Sequence, residues 1–395
     1  MKKLIVSMFA LASILASCSS DDDLGVSIET PEVTPGETST VIGGRITEDL
    51  TLVANTEYQL TEALFVEDGT TLTIEEGVTI QATAGGTDIF ILVDRGGVIE
   101  ANGTANAPII ITSSATTPSP GDWGGLIING RAPISRQEGG SIEAATEVRN
   151  DILFGGDIAT DDSGTLNYVT LEYTGARIND DAEHNGLTLN GVGNGTTISN
   201  IAIFNGDDDA IEWFGGTVDV TNLLVVNPRD DMFDVSQGWT GTLTNAYGIR
   251  EAGFASVTSD PRGVESDGNL DGNTPTDINQ SNFTMTGITI VNEGSVELND
   301  AIKVRRGATS TITNALIIDV NNSTVEGSAI GFSDFVDFED SRGNANTNAT
   351  VSVNGIGISE TDIKFGDSDA TNVTVPSIQN TGADTTVFAW TGFQF

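Results

Sequence analysis

The chain has 395 residues, with 57 Asp or Glu against 16 Lys or Arg and a formal charge of −41. A field of that sign repels nucleic acid and anionic lipid headgroups and attracts cations. Hydrophobic residues make up 38% and charged residues only 18%, which excludes a disordered acidic polymer. The 46 glycines, frequent Thr and Asn, and the lack of long amphipathic stretches predict an all-β chain of short strands and many turns.

At the N-terminus, Lys2 and Lys3 precede an apolar run from Leu4 to Ala16. That run is shorter than the ~20 residues a membrane-spanning helix needs, and it reads as a signal segment. It ends in Leu15-Ala16-Ser17-Cys18, which resembles the lipobox of bacterial lipoproteins, where the cysteine is lipidated after cleavage. Cys18 is the single cysteine, so the chain has no disulfide and its one thiol stands where lipid chemistry requires it. The next residues, Ser19-Ser20-Asp21-Asp22-Asp23, resemble the acidic export signal of surface lipoproteins in Bacteroidota. The expected organisation is a signal peptide over residues 1–17, a lipidated cysteine and acidic tether over 18–42, and one folded domain over 43–395. That places the protein on the outer membrane through a lipid anchor, facing the cell exterior.

From residue 66 the chain repeats itself. In the N-terminal half, Val66 to Ile74, Glu76 to Ile80 and Val98 to Ile111 alternate apolar and polar residues between Gly and Asn turns. Further on, one line recurs as Ser199-Asn200-Ile201, Thr221-Asn222-Leu223, Thr244-Asn245-Ala246 and Thr313-Asn314-Ala315. A second recurs as Asp209-Ala210-Ile211-Glu212-Trp213, Asp231-Met232-Phe233-Asp234-Val235, Gly263-Val264-Glu265-Ser266 and Asp300-Ala301-Ile302-Lys303-Val304. A period in the low twenties with Asn and Gly turns predicts a right-handed single-stranded parallel β-helix, a solenoid. Alternation assigns Leu187, Ile211, Phe233, Val264, Ile302 and Ile330 to one inward stack. Leu189, Trp213, Val235, Val304 and Phe332 form the next. Asn200, Asn222, Asn245 and Asn314 fall at one turn, where stacked amides can bond from coil to coil.

The segments Gly121-Asp122-Trp123-Gly124-Gly125-Leu126-Ile127, Asp207 to Val218, Glu183 to Leu189 and Gly263 to Asp267 resemble a family of β-helical outer-membrane surface lipoproteins of Bacteroidota. The resemblance covers nearly the whole chain after the leader. It implies fold and location and carries over no catalytic residue.

Outward-facing positions of the second line place Thr188, Glu212, Asp234, Glu265 and Lys303 in one column. Carboxylates on adjacent coils lie about 5 Å apart and repel. Neutralisation by Lys303, Arg262 and Arg305, a bound cation, and a ligand surface all answer that repulsion. Asp267-Gly268-Asn269-Leu270-Asp271-Gly272 matches the first half of a calcium loop. The closing glutamate is replaced by Ile278 with Asp277 beside it, so the candidate metal ligands are Asp267, Asn269, Asp271 and Asp277, and the candidate cofactor is Ca²⁺. A plain Asp-Gly turn fits the same string. Trp239, between Gly238 and Gly241, is a candidate exposed aromatic and equally a core residue. With Glu212, Asp234, Glu265 and Lys303 it makes up the candidate ligand surface.

Paired acids at Asp208/Asp209 and Asp230/Asp231 resemble the placement of acid and base in β-helical hydrolases of pectin. The only histidine, His184, comes earlier than such enzymes place theirs. Lys303 and Arg305 are the candidate bases of a lyase. No Ser/His/Asp nucleophile, zinc spacing or phosphate loop is present. The sequence therefore favours a non-enzymatic binding or accessory protein, with a glycan or a TonB-dependent transporter as partner, presented by loops at 115–163 and 250–285. A calcium-dependent polysaccharide lyase or glycoside hydrolase is the alternative, and a structural or adhesive surface protein is another.

Overall fold

In the computed structural model, residues 40–179, 182–254, 258–270, 276–294, 296–319, 331–356 and 372–395 are described below. Cys18, the acidic tether, Asp271 and Ile330 lie outside them.

The strands pair in parallel, each with its equivalent one coil on, in three strips. One strip runs through Leu50–Leu52, Thr71–Ile74 and Val98–Asn102 into the first halves of Gly164–Glu172, Thr197–Phe204 and Val220–Val226. The second halves of those same strands continue a neighbouring strip that begins with Glu57–Val66 and Thr79–Ala82. The third contains Ile91–Val93, Leu126–Asn129, Leu187–Asn190, Ile211–Phe214, Phe233–Ser236 and Val264–Ser266. This is a parallel β-helix. The repeat is 22 residues between Glu212 and Asp234, as the sequence period requires.

Each coil must bend between the first and second strips without leaving polar backbone unpaired. Asn200, Asn222, Asn245 and Asn314 do this at positive φ (53°, 59°, 60° and 55°). Asparagine tolerates that conformation, and its amide can reach its neighbour. Asn200 Nδ2 donates to Asn167 Oδ1 at 2.8 Å, Asn222 Nδ2 to Asn200 Oδ1 at 2.9 Å and Asn245 Nδ2 to Asn222 Oδ1 at 3.0 Å. The ladder breaks at Gly287, where a Cβ would come within 3.4 Å of the Gly382 carbonyl. There the C-terminal segment crosses instead, with Asp384 N donating to Asn245 Oδ1 at 2.6 Å and Thr381 N to Asn314 Oδ1 at 2.8 Å.

The inward stack holds as far as Ile302. Leu187, Ile211, Phe233, Val264 and Ile302 are all fully buried. On the last coil the expected register is wrong, because Ile302 pairs with Val336 and Leu298 pairs with Phe332. Val336 therefore closes the first stack, and Phe332 belongs beside Leu298 rather than after Val304. The second stack contains one polar member, Ser266, whose hydroxyl donates to the Lys303 carbonyl at 2.8 Å. Its aromatic centre is Trp213, Trp239 and Phe283, stacked with centroids 4.6 and 5.5 Å apart. Such a pile buries a large apolar area within one corner of the core.

Residues 381–395 leave the solenoid and return along its outside. A short 3₁₀ helix, Thr385–Thr391, seats Phe388 against Ala202, Leu224, Val226 and Ile249, while Trp390 meets Tyr168 edge-on at 5.3 Å. This strap covers the outer face of the second strip. The outer face of the third strip is covered differently, and there the acidic residues gather.

Candidate functional site: an acidic and aromatic groove

On the third strip, one outward column reads Phe65, Leu92, Ile127, Thr188, Glu212, Asp234 and Glu265. It is apolar at the N-terminal end and acidic after Thr188. Pairing of Val264 with Ile302 sets Lys303 next to Glu265. The column predicted from the repeat is therefore real, but it is not an open surface: Glu212 is only 8% exposed. The segment between Asn129 and Gly164, which carries the antiparallel pair Ala144–Ala145 and Leu153–Phe154, supplies one wall through Glu147 and Phe154. Thr258 to Arg262 supply another.

Four more acids enter from the turns before the strands. Asp208 and Asp209 precede Ile211–Phe214, and Asp230 and Asp231 occupy the same place one coil on. Backbone bonds fix them, since Asp231 N donates to Asp209 Oδ1 at 2.8 Å and Arg262 N to Asp231 Oδ1 at 2.5 Å. The buried Arg250 holds the second turn from behind, donating to the carbonyls of Pro228 at 3.1 Å and Asp230 at 2.6 Å. Three overlapping trios, Asp209/Glu212/Asp234, Asp209/Asp230/Asp231 and Asp231/Asp234/Glu265, each bring carboxylate oxygens within 4.8 Å of one another.

Burial and then mutual repulsion govern their ionisation. Both raise the pKa of Asp208, Asp209, Glu212, Asp231 and Asp234 well above the usual carboxylate range. Burial pushes Asp230 up to about 6. Asn185 Nδ2 donates to Glu212 Oε2 at 2.6 Å.

The acidic part is a cavity of about 580 Å³, and a second cavity of about 620 Å³ adjoins it through Glu147, Glu212, Asp234 and Glu265. The second is a different environment. Phe154 and Phe214 meet edge-to-face at 6.4 Å, with Leu270 nearby as an apolar wall. Asn190, Ser236 and Gln237 add amides and a hydroxyl. Asn190 donates to Asn129 at 2.9 Å and Ser236 to Glu212 at 3.4 Å. Gln237 is 5% exposed and lines the cavity. Together the two cavities form one groove of the size that takes small ligands.

Other expected site residues fall elsewhere. Trp239 is fully buried in the aromatic stack with Nε1 donating to the Val218 carbonyl at 3.0 Å, so it belongs to the core and not to a ligand surface. Lys303 is ion-paired with Asp337. Asp267 faces two cations, Arg305 at 2.7 Å and Arg306 at 2.6 Å, so both carboxylate oxygens are engaged by guanidinium groups. Asn269 is fully buried and spends its amide on Gln280 Oε1 at 3.0 Å and the Arg306 carbonyl at 3.2 Å. The Asp277 carbonyl accepts from Gln280 Nε2 at 2.9 Å. In the described part of this loop, the side chains knit the coil to its neighbour rather than converge on a cation. His184 is also structural: burial lowers its pKa to about 4, and its ring lies 5.1 Å from that of Phe90.

Sequence reasoning missed Glu147, Phe154, Phe214 and Gln237. The first two sit on an insertion with no period, and no signal places them. Phe214 ends its strand two residues after Glu212 and pairs with Ser236, so extending the outward column by one step would have found it; Gln237 follows Ser236 at a φ of 50°, off the alternation.

A family model described as a pectate-lyase-like β-helix domain matches residues 44–393. No curated protein and no solved structure matches the chain.

Proposed function

The chain belongs to the pectate-lyase-like β-helix family, and we propose that it is a lipid-anchored surface protein that binds a glycan in the groove without cleaving it, as an accessory to uptake. The observation that carries this is the groove itself: an acidic cavity continuous with an aromatic and amide-lined one, laid along consecutive coils. A glycan is a chain of rings with apolar faces and hydroxyl rims, and it matches a long groove with both kinds of wall. The anchor rests on Cys18 and the lipobox-like residues before it. Calcium, if it binds, is better served by Asp209, Glu212 and Asp234 than by Asp267, because hard cations take several oxygen ligands and these carboxylates converge. Binding to an immobilised polysaccharide panel tests the reading. Retention of the wild type and loss in Asp234→Asn support it, and no retention on any glycan ends it.

A second reading, glycoside hydrolysis, draws on Asp230, whose pKa of about 6 suits a general acid near neutrality. Lyase chemistry has less support, since Lys303 and Arg305, the candidate bases, are both held in ion pairs. Release of reducing ends from a bound polysaccharide, lost in Asp230→Asn, would favour hydrolysis over simple binding.

A further inference from the structure

The charge and the polar inventory of the groove narrow the class of glycan. Ten carboxyl groups line the acidic cavity against two arginines, Arg177 and Arg262. Both arginines are already committed. Arg177 pairs with Asp208 at 2.6 Å and with Asp207 at 3.4 Å, and Arg262 pairs with Asp300 at 3.0 Å and with Glu265. An anionic sugar such as a uronate would meet carboxylates with no uncommitted arginine to receive it. A positively charged group would relieve repulsion among Glu212, Asp234 and Glu265. A metal ion alone leaves the other half unexplained: Gln237 is only 5% exposed, and it lines the same groove beside Phe214. Its side-chain amide offers both a donor and an acceptor, which a hydroxyl or amide of a ligand in that cavity can pair. The occupant therefore needs a cationic group and, one ring away, an apolar face with hydrogen-bonding hydroxyls.

We propose that the groove takes a glycan segment containing unacetylated amino sugars, with an ammonium group among Asp209, Glu212 and Asp234 and a neighbouring ring against Phe214, its hydroxyls on Gln237. This rests on the glycan-binding reading above. The ammonium makes charge-assisted hydrogen bonds that an N-acetyl group cannot. A basic peptide shares the charge but not the ring.

The test is calorimetric titration of the full chain with a glucosamine oligomer, an N-acetylglucosamine oligomer of equal length, a galacturonate oligomer with and without calcium, and oligolysine. The glucosamine oligomer should bind at least about tenfold more tightly than its acetylated counterpart, the effect of one charge-assisted hydrogen bond. Asp234→Asn should weaken it, and so should Gln237→Gly, which changes no charge and accommodates the positive φ of 50° at that position. Circular dichroism of each variant establishes that the coil stack is intact. Equal affinity for the acetylated and free oligomers overturns the amino-sugar assignment and leaves glycan binding standing. Oligolysine binding as tightly, with Gln237→Gly without effect, reduces the interaction to adsorption on an acidic surface and overturns it. Galacturonate binding that needs both calcium and Asp234 replaces the ammonium with a bridging cation and overturns it as well. Failure of every oligosaccharide removes the glycan reading itself.

Discussion

Glu212 and Asp234 stand in register on consecutive coils, with carboxylate oxygens within 4.8 Å of each other in a buried cavity. Two carboxylates cannot both ionise cheaply at that separation, so the pair favours a state with one proton between them. Along the turn, burial raises Asp230 to about 6 from an ordinary 3.8. A carboxyl whose folded pKa lies above its unfolded value binds more protons when folded, over the interval between the two. Stability then falls as pH rises through that interval. His184 has the opposite sign: with a folded pKa of about 4 against 6.5 unfolded, it withdraws stability as pH falls. Comparing wild type with Asp234→Asn at each pH cancels the histidine, which both share. The variant should melt higher above neutrality, with the gain shrinking as the solution is acidified. A difference curve flat across pH would mean the cleft acids are solvated and ordinary.

Register makes a second prediction. Phe233 is fully buried and its neighbour Asp234 points into the groove. Phe233→Asp places an unpaired charge in the core, at a cost of several kcal/mol or failure to fold. Trp239→Ala empties the centre of the aromatic stack and should cost roughly 3–5 kcal/mol. Glu212→Gln removes one of the crowded charges and should be neutral or stabilising. Chemical denaturation of the three variants checks the order, and a tolerant Phe233→Asp would mean that the inward and outward faces are exchanged.

Much of this architecture was legible because the solenoid repeats its chemistry. Ile211 and Phe233, or Asn200 and Asn222, recur at one spacing, so pattern alone separates inside from outside. Legibility ended where the spacing changed. After Ile302 the spacing no longer holds: its partner on the next coil is Val336. Trp239 lies between glycines that look like a surface turn, yet Gly238 (φ 95°) serves to fold the indole inward onto Trp213. Of the groove, the floor was readable as a column of acids. The walls were not, since Glu147 and Phe154 come from an insertion whose position depends on tertiary contacts. The calcium-like string at Asp267 shows the converse: motif spacing was present, but the neighbouring Arg305 and Arg306 took its carboxylate.

Anchoring gives a third prediction. Cys18 is the sole thiol and follows Leu15-Ala16-Ser17, so Cys18→Ala should abolish incorporation of labelled palmitate and leave the precursor uncleaved or released. A single acyl chain holds a protein only marginally at a membrane, whereas two or more hold it stably. The wild type should therefore remain with membranes through a high-salt wash. Equal labelling of the wild type and variant would end the lipoprotein reading.

The asparagine ladder supplies the fourth. Asn222 donates to Asn200 at 2.9 Å, accepts from Asn245 at 3.0 Å, and holds φ at 59°. Alanine loses both side-chain bonds, each worth about 1 kcal/mol net. It also accepts the left-handed conformation without the local bonding that makes asparagine tolerant of it, a further ~1 kcal/mol. Glycine loses the bonds but takes the conformation freely. Asn222→Ala should therefore destabilise by about 2–4 kcal/mol in urea unfolding, and Asn222→Gly by somewhat less, even though glycine removes more of the side chain. That inversion of the usual order, with the smaller residue better tolerated, isolates backbone conformation from hydrogen bonding. Were glycine the worse of the two, unfolded-chain entropy would outweigh the turn geometry, and the ladder's role would reduce to its side-chain bonds.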